Sequence, residues 1–258
     1  MDNHFISEPW EKNIPIIMSL ITIWNRNFKG FSSQAILPYS DLLAFLPAYL
    51  QQLTMESNGK SINRAGNELN YDTAPIIWGE RGTNFQHAFS QHLHQSRTIT
   101  PCDFIVAANP NNLKDTVLQD DAKKIHCTLL ANCFAQSKAL MEGKDIKSSK
   151  NHLNDQKYSE SQLNVIAPQH VFSGNRPSNT IIMESIDPRT LGSLIALYEH
   201  KTFCEGIIWN INSFDQWGVE YGKNLATEIA SDLNHKDYAT GHGLATDSLI
   251  DAVKNFLK

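Results

Sequence analysis

Ala74-Pro-Ile-Ile-Trp-Gly-Glu-Arg-Gly-Thr-Asn84 is a short apolar run that passes through a two-glycine turn into a helix start. Ala74 to Trp78 has the length and composition of a buried strand. Gly79-Glu-Arg-Gly82 is the turn, and Thr83 and Asn84 can cap a helix reaching Gln95. Working outward, the same pattern recurs. Ala35-Ile-Leu-Pro-Tyr39 is strand-like, Cys102 to Ala107 is a second buried strand, and Asn179 to Met183 is a third. Helical stretches separate or follow them over residues 8–29, 41–53, 122–142, 188–204, 214–233 and 247–257. Pro9 and Glu11 suit the first turn of the earliest helix, and Asp41 suits the cap of the next. Residues 143–164, rich in Lys, Ser and Asn, predict a solvated hairpin or loose helix. Strands alternating with helices predict an α/β fold. The expected architecture is a three-layer αβα sandwich with a mainly parallel sheet and extra helices, as one domain over residues 1–258.

The chain has 258 residues, 41% hydrophobic content and 19% charged residues. That is enough to bury a core. The net charge of -5 argues against nucleic acid and against anionic membranes as partners. The longest apolar run, Ile14 to Trp24, is about half of the ~20 residues a span needs. It follows Glu11-Lys12 and makes a poor signal peptide. Cys102, Cys127, Cys133 and Cys204 form no CxxC pair and no zinc spacing, and their apolar neighbours predict buried, reduced thiols. That pattern predicts a cytoplasmic protein.

Several side chains can carry chemistry, each with a plainer reading beside it. The Trp78–Asn84 turn lies where open parallel sheets collect ligands, and its backbone N–H groups could hold an anion or sugar oxygen. Many strand–helix turns share its two glycines. His87 falls on the first turn of the helix that follows; alone it reads as structural more readily than catalytic. His92 and His94 point about 200° apart on a helix, which argues against a metal site. Glu56 sits in the polar turn Met55-Glu-Ser-Asn-Gly-Lys60, where a carboxylate is either simply solvated or a base in a cleft. Glu80, ending a buried strand, is its rival. In Ser213-Phe-Asp-Gln-Trp-Gly-Val-Glu-Tyr-Gly-Lys223, Ser213 or Asp215 can cap a helix, with Trp217 in the core and Lys223 solvated.

Taken together, these segments resemble the glucose-6-phosphate isomerase family. Ser213–Lys223 resembles its C-terminal signature, Met55–Lys60 its catalytic glutamate segment, and Trp78-Gly-Glu-Arg-Gly-Thr-Asn-Phe-Gln-His87 the segment ending in its active histidine. Gly174-Asn-Arg-Pro177, Pro101-Cys-Asp-Phe104 and Leu197-Tyr-Glu-His200 match in the same order. The resemblance runs from residue 1 to about residue 257. It implies interconversion of glucose 6-phosphate and fructose 6-phosphate through an enediol. Glu56 would be the base between C1 and C2, and His87 would help open the ring, supplied across a homodimer by the neighbouring subunit. Lys223 would stabilise developing charge near the ring oxygen or C1, and Gln52 and Gln216 would contact substrate. Glu80 matches a position near the site that is not the catalytic one. No metal and no organic cofactor are implied. Metal-free isomerisation needs a carboxylate base, a donor for the enediolate oxygens and a group titrating near neutrality, and these residue types supply all three.

Two departures bear on this expectation. Met1-Asp-Asn-His-Phe5 resembles an internal segment of family members. The resemblance then implies that roughly the first half of the usual chain is missing, with its Ser/Thr-rich phosphate loop and its Gly-Gly-Arg segment. Neither pattern occurs here. Phe85 stands where a glycine is common, so the helix start and His87 are expected to shift. Two functions stay open: an isomerase completed by a separate chain carrying the missing half, or a truncated, non-catalytic sugar-phosphate-binding or structural remnant. The Glu56, His87 and Lys223 segments motivate the first, and loss of the phosphate anchor motivates the second, because remote binding energy supports the chemical step.

Overall fold

The computed structural model describes residues 1–110, 119–154, 158–234 and 241–257. The chain divides into two compact units, Met1–Phe214 and Asp215–Lys258. In the first unit, β1 (Ser33–Pro38), β2 (Ile76–Gly79), β3 (Cys102–Ala107) and β4 (Ser178–Met183) form a parallel sheet in the order β2-β1-β3-β4. Strand side chains alternate between two buried faces, which makes three layers. Ile36 and Ile105 face one way, with Met18 of α2 (Ile14–Ile23), Leu46 and Leu50 of α3 (Leu46–Gln51), and Leu194 and Leu197 of α9 (Pro188–Ile208). Ala35, Leu37, Phe104 and Val106 face the other. They meet Phe85 of α4 (Gly82–Ala88), Leu93 of α5 (Ser90–Gln95), and Cys133 and Leu140 of α6 (Gln119–Glu142). The fold is the expected αβα arrangement with a parallel sheet.

Element boundaries moved for local reasons. The first long helix begins at Ile14 rather than near Pro9, because Asn13 caps it: its Oδ1 accepts from Ile16 N and its amide donates to Phe5 O at 2.8 Å. A short helix, Asp2–Ser7, precedes it. Ser40, not Asp41, caps the turn after β1, accepting from Leu42 N, while Asp41 pairs with Arg81 at 2.8 Å. The helix expected to reach Gln95 breaks at Phe89 (φ -142°, ψ 10°), whose ring packs edge-on to Trp78 at 4.6 Å and stacks on Phe85 at 5.6 Å. Between 143 and 164 two helices form, Ile146–Asn154 and Glu160–Ile166, the second with a Ser159–Gln162 capping box; residues 155–157 lie outside the described residues. Cys102 and Cys133 are buried as expected, and burial pushes the Cys133 thiol up to about 12. Cys127 is exposed on α6 and Cys204 is half-buried, which corrects the expectation for both.

The second unit consists of α10 (Trp217–Asn234) and α11 (Leu244–Phe256). Its described core is small: Ile250 is buried, and α10 buries no residue. Among the described residues no helix is long and apolar enough to cross a membrane.

Candidate functional site

Helix α3 does not end at Gln51. It widens into a π-helical turn over Gln52–Glu56, a geometry that recurs at functional sites. Glu56 closes this turn and is half-buried. The Gln52 amide reaches its carboxylate in a long contact of 3.5 Å. The Lys60 ammonium donates to the Glu56 carbonyl at 3.1 Å and to that of Ser57, placing a cation on the helix's open carbonyls. Gly59 is required here, since a Cβ would lie 2.4 Å from Met55 O.

Asn58, two residues beyond Glu56, is fully buried. Its amide donates to Thr202 O on α9 at 2.9 Å, and its Oδ1 accepts from the Ser213 hydroxyl. Gly206 makes room for that pair. The turn is therefore clasped to α9 and to the end of the first unit. Sequence reading missed Asn58, Thr202, Gly206 and Ser213 as one group. The Asn-Gly pair reads only as turn chemistry, and the expected cap role of Ser213 is replaced by this bond.

His87 is exposed on α4. Phe85 points into the core, 1% exposed, and packs against Tyr39 and Phe104. Gly82 allows the close approach, since a Cβ there would lie 2.4 Å from the Tyr39 ring. Two helical positions on, His87 is left facing outward. The Met55 thioether accepts from Ile77 N of β2, and α4 follows the end of that strand. Glu80 is occupied, accepting from Arg81 N at 2.8 Å and from the Arg81 guanidinium at 3.4 Å. Asp41, then Glu80, raise the Arg81 pKa further.

Gln216 and Lys223 belong to the second unit, Gln216 just before α10 and Lys223 exposed upon it. At the strand-order switch, a cavity of about 380 Å³ lies beyond the ends of β1 and β3, lined by Ser40, Asp41, Asn109 and His126 among others. None of the five residues expected at the site lines it.

The family model described as phosphoglucose isomerase matches residues 1–250. A glucose-6-phosphate isomerase of Chlorobium phaeobacteroides is 48% identical over 256 residues, covering 99% of this chain and 44% of that protein. One from Campylobacter jejuni subsp. doylei is 48% identical over 257 residues, covering 99% and 45%. Among solved structures, a glucose-6-phosphate isomerase from Chlamydia trachomatis superposes with a TM-score of 0.78 at 37% identity, over all of this chain and 44% of that one. The chain thus spans under half the length of these relatives.

Proposed function

This chain belongs to the phosphoglucose isomerase family, and we propose that its Glu56 turn is the proton-transfer end of an aldose–ketose isomerase acting on glucose 6-phosphate and fructose 6-phosphate. The observation that carries the reading is the clasped π-helical turn. It fixes a half-buried carboxylate at a helix end with an amide beside it.

In this reading, the Glu56 carboxylate takes the proton from C2 of the open-chain aldose. Electrons move to give the enediol as the C1 oxygen gains a proton; Glu56 then returns its proton to C1 as the C2 hydroxyl gives up its own, leaving the C2 carbonyl of the ketose. The carboxylate ends as it began, so no metal or redox partner enters the balance. Gln52 and Gln216 contact sugar hydroxyls, and the Lys223 ammonium offsets charge on the reacting oxygens. His87 opens the ring. Its exposure on α4 supports delivery from a second copy in a homodimer. Phosphate anchoring belongs to a further segment or chain, consistent with the share of the relatives that this chain covers.

The test is interconversion of the two sugar phosphates by the purified chain, alone and mixed with the remaining portion of a relative. Turnover is expected in the mixture, and Glu56→Gln is expected to lower it by about 10²–10⁴-fold. No turnover in either sample, or full activity in the variant, overturns the reading in favour of a non-catalytic domain.

A further inference from the structure

At the entry ends of β3 and β4 the structure holds a cavity of about 570 Å³. Its polar lining is Asn25, Lys29, Asn175, Ser178 and Asn179, with no carboxylate among the described lining residues. Asn25 sits on the π-helical continuation of α2, Trp24–Phe28, and is 8% exposed. Its backbone carbonyl is used by Phe31 N at 2.9 Å. Its side-chain amide bonds to no described residue, yet its polar atoms are not sealed away. A nearly buried amide left open on a cavity is an unmet demand for a ligand or water.

The neighbouring wall fixes a second group. Asp103 is fully buried and accepts from Asn179 Nδ2 at 2.8 Å, Gln34 Nε2 at 2.9 Å and Tyr198 Oη at 3.0 Å. Because the Asn179 nitrogen is committed to Asp103, its Oδ1 is left as an acceptor. Asp103 itself is sealed behind this wall and already takes three donors. Lys29 Nζ lies 5.4 Å from the Trp24 ring centroid, and Trp24 stacks on Phe28 at 5.2 Å. The ammonium is thereby held at the cavity by a ring contact, with no ion pair among the described residues. Arg176, between the lining residues Asn175 and Pro177, does not itself line the cavity. It is 6% exposed and bonded to the carbonyls of Thr98 and Ser96, with Nε unpartnered.

The cavity therefore offers amides that both donate and accept, one hydroxyl and an unneutralised ammonium. Amides suit vicinal hydroxyls, the cation suits one anionic group, and the size suits a single sugar. We propose that this cavity binds a monosaccharide-sized polyol carrying one anionic group, a sugar phosphate or a sugar acid. The site is separate from the Glu56 turn, which lies beside β2 at the other edge of the sheet.

The test follows the asparagine side-chain amides by NMR in the isotopically labelled full chain, titrated separately with glucose 6-phosphate, gluconate and glucose. Either anion, or both, should shift the Asn25 and Asn179 amides saturably and bind about tenfold or more tightly than glucose. Response to one anion alone identifies phosphate or carboxylate as the group recognised. Lys29→Gln should weaken the anions about tenfold with little effect on glucose. Asn25→Leu should abolish the Asn179 shift while spectral dispersion is kept. Glu56→Gln should leave these shifts unchanged, so failure of the isomerase reading and failure of this one are separable. The proposal is overturned if neither amide moves at about 10 mM of any ligand. Glucose binding as tightly as the anions, or anion binding indifferent to Lys29→Gln, overturns it equally.

Discussion

A Cβ on Gly206 would lie 1.8 Å from the Ser213 hydroxyl oxygen and 3.2 Å from Asn58 Oδ1. The glycine is therefore required by the clasp behind Glu56 and not by backbone conformation. Gly206→Ala is expected to destabilise the protein by about 1–3 kcal/mol, the usual cost of overpacking. In a Ser213→Ala background the same substitution should cost less, because its nearest clash is gone; urea unfolding of the four proteins gives the coupling directly. Purely additive losses would show that Gly206 and Ser213 do not act together. Glu56 was a candidate base in the sequence beside its plainer reading as a solvated turn carboxylate, and Gln52 entered only through the family resemblance. The clasp was not legible there. Asn58 meets partners 144 and 155 positions away, and no local pattern announces which asparagine turns inward.

Helix α4 shows the same limit one level up. A strand, a glycine turn and a helix start could be read from Ala74–Asn84, and all three form. Phe85 packs in a pocket formed by Tyr39, Phe89 and Phe104. Packing of this kind is invisible in a linear pattern, as is the break at Phe89 that the same aromatic cluster imposes. With Phe85 1% exposed, Phe85→Ala is expected to cost about 3–5 kcal/mol in denaturant unfolding. A loss below about 1 kcal/mol would mean that the ring does not hold α4 to the sheet. The π-helical turn before Glu56 was equally unreadable: Gln52–Glu56 has the composition of ordinary helix, and only the positions of the backbone carbonyls distinguish it.

For the whole molecule, alternating strands and helices were enough to predict parallel layers, but not the order β2-β1-β3-β4, which depends on pairing between distant segments. Nor does periodicity tell which apolar residues stay uncovered. On the second unit Trp217 is 56% exposed, Tyr221 71%, Leu244 90% and Phe256 90%. The first unit leaves Phe28 and Phe45 open as well. Isolated exposed apolar residues are normal, but Trp217, Tyr221 and Leu225 recur at four-residue spacing on one face of α10, all exposed, and such stripes mark association surfaces. The purified chain is therefore expected to gain mass with concentration in analytical ultracentrifugation and to brighten a hydrophobic dye. Replacing Trp217 and Tyr221 together with Gln should lower both signals while leaving the circular dichroism of the sheet domain unchanged, because neither residue belongs to its core clusters. A dye-silent monomer at every concentration would show that the stripe is satisfied within the chain. If the double variant associates as strongly as the parent, the sticky surface lies on the first unit, and the open aromatic rings of Phe28 and Phe45 become the residues to replace.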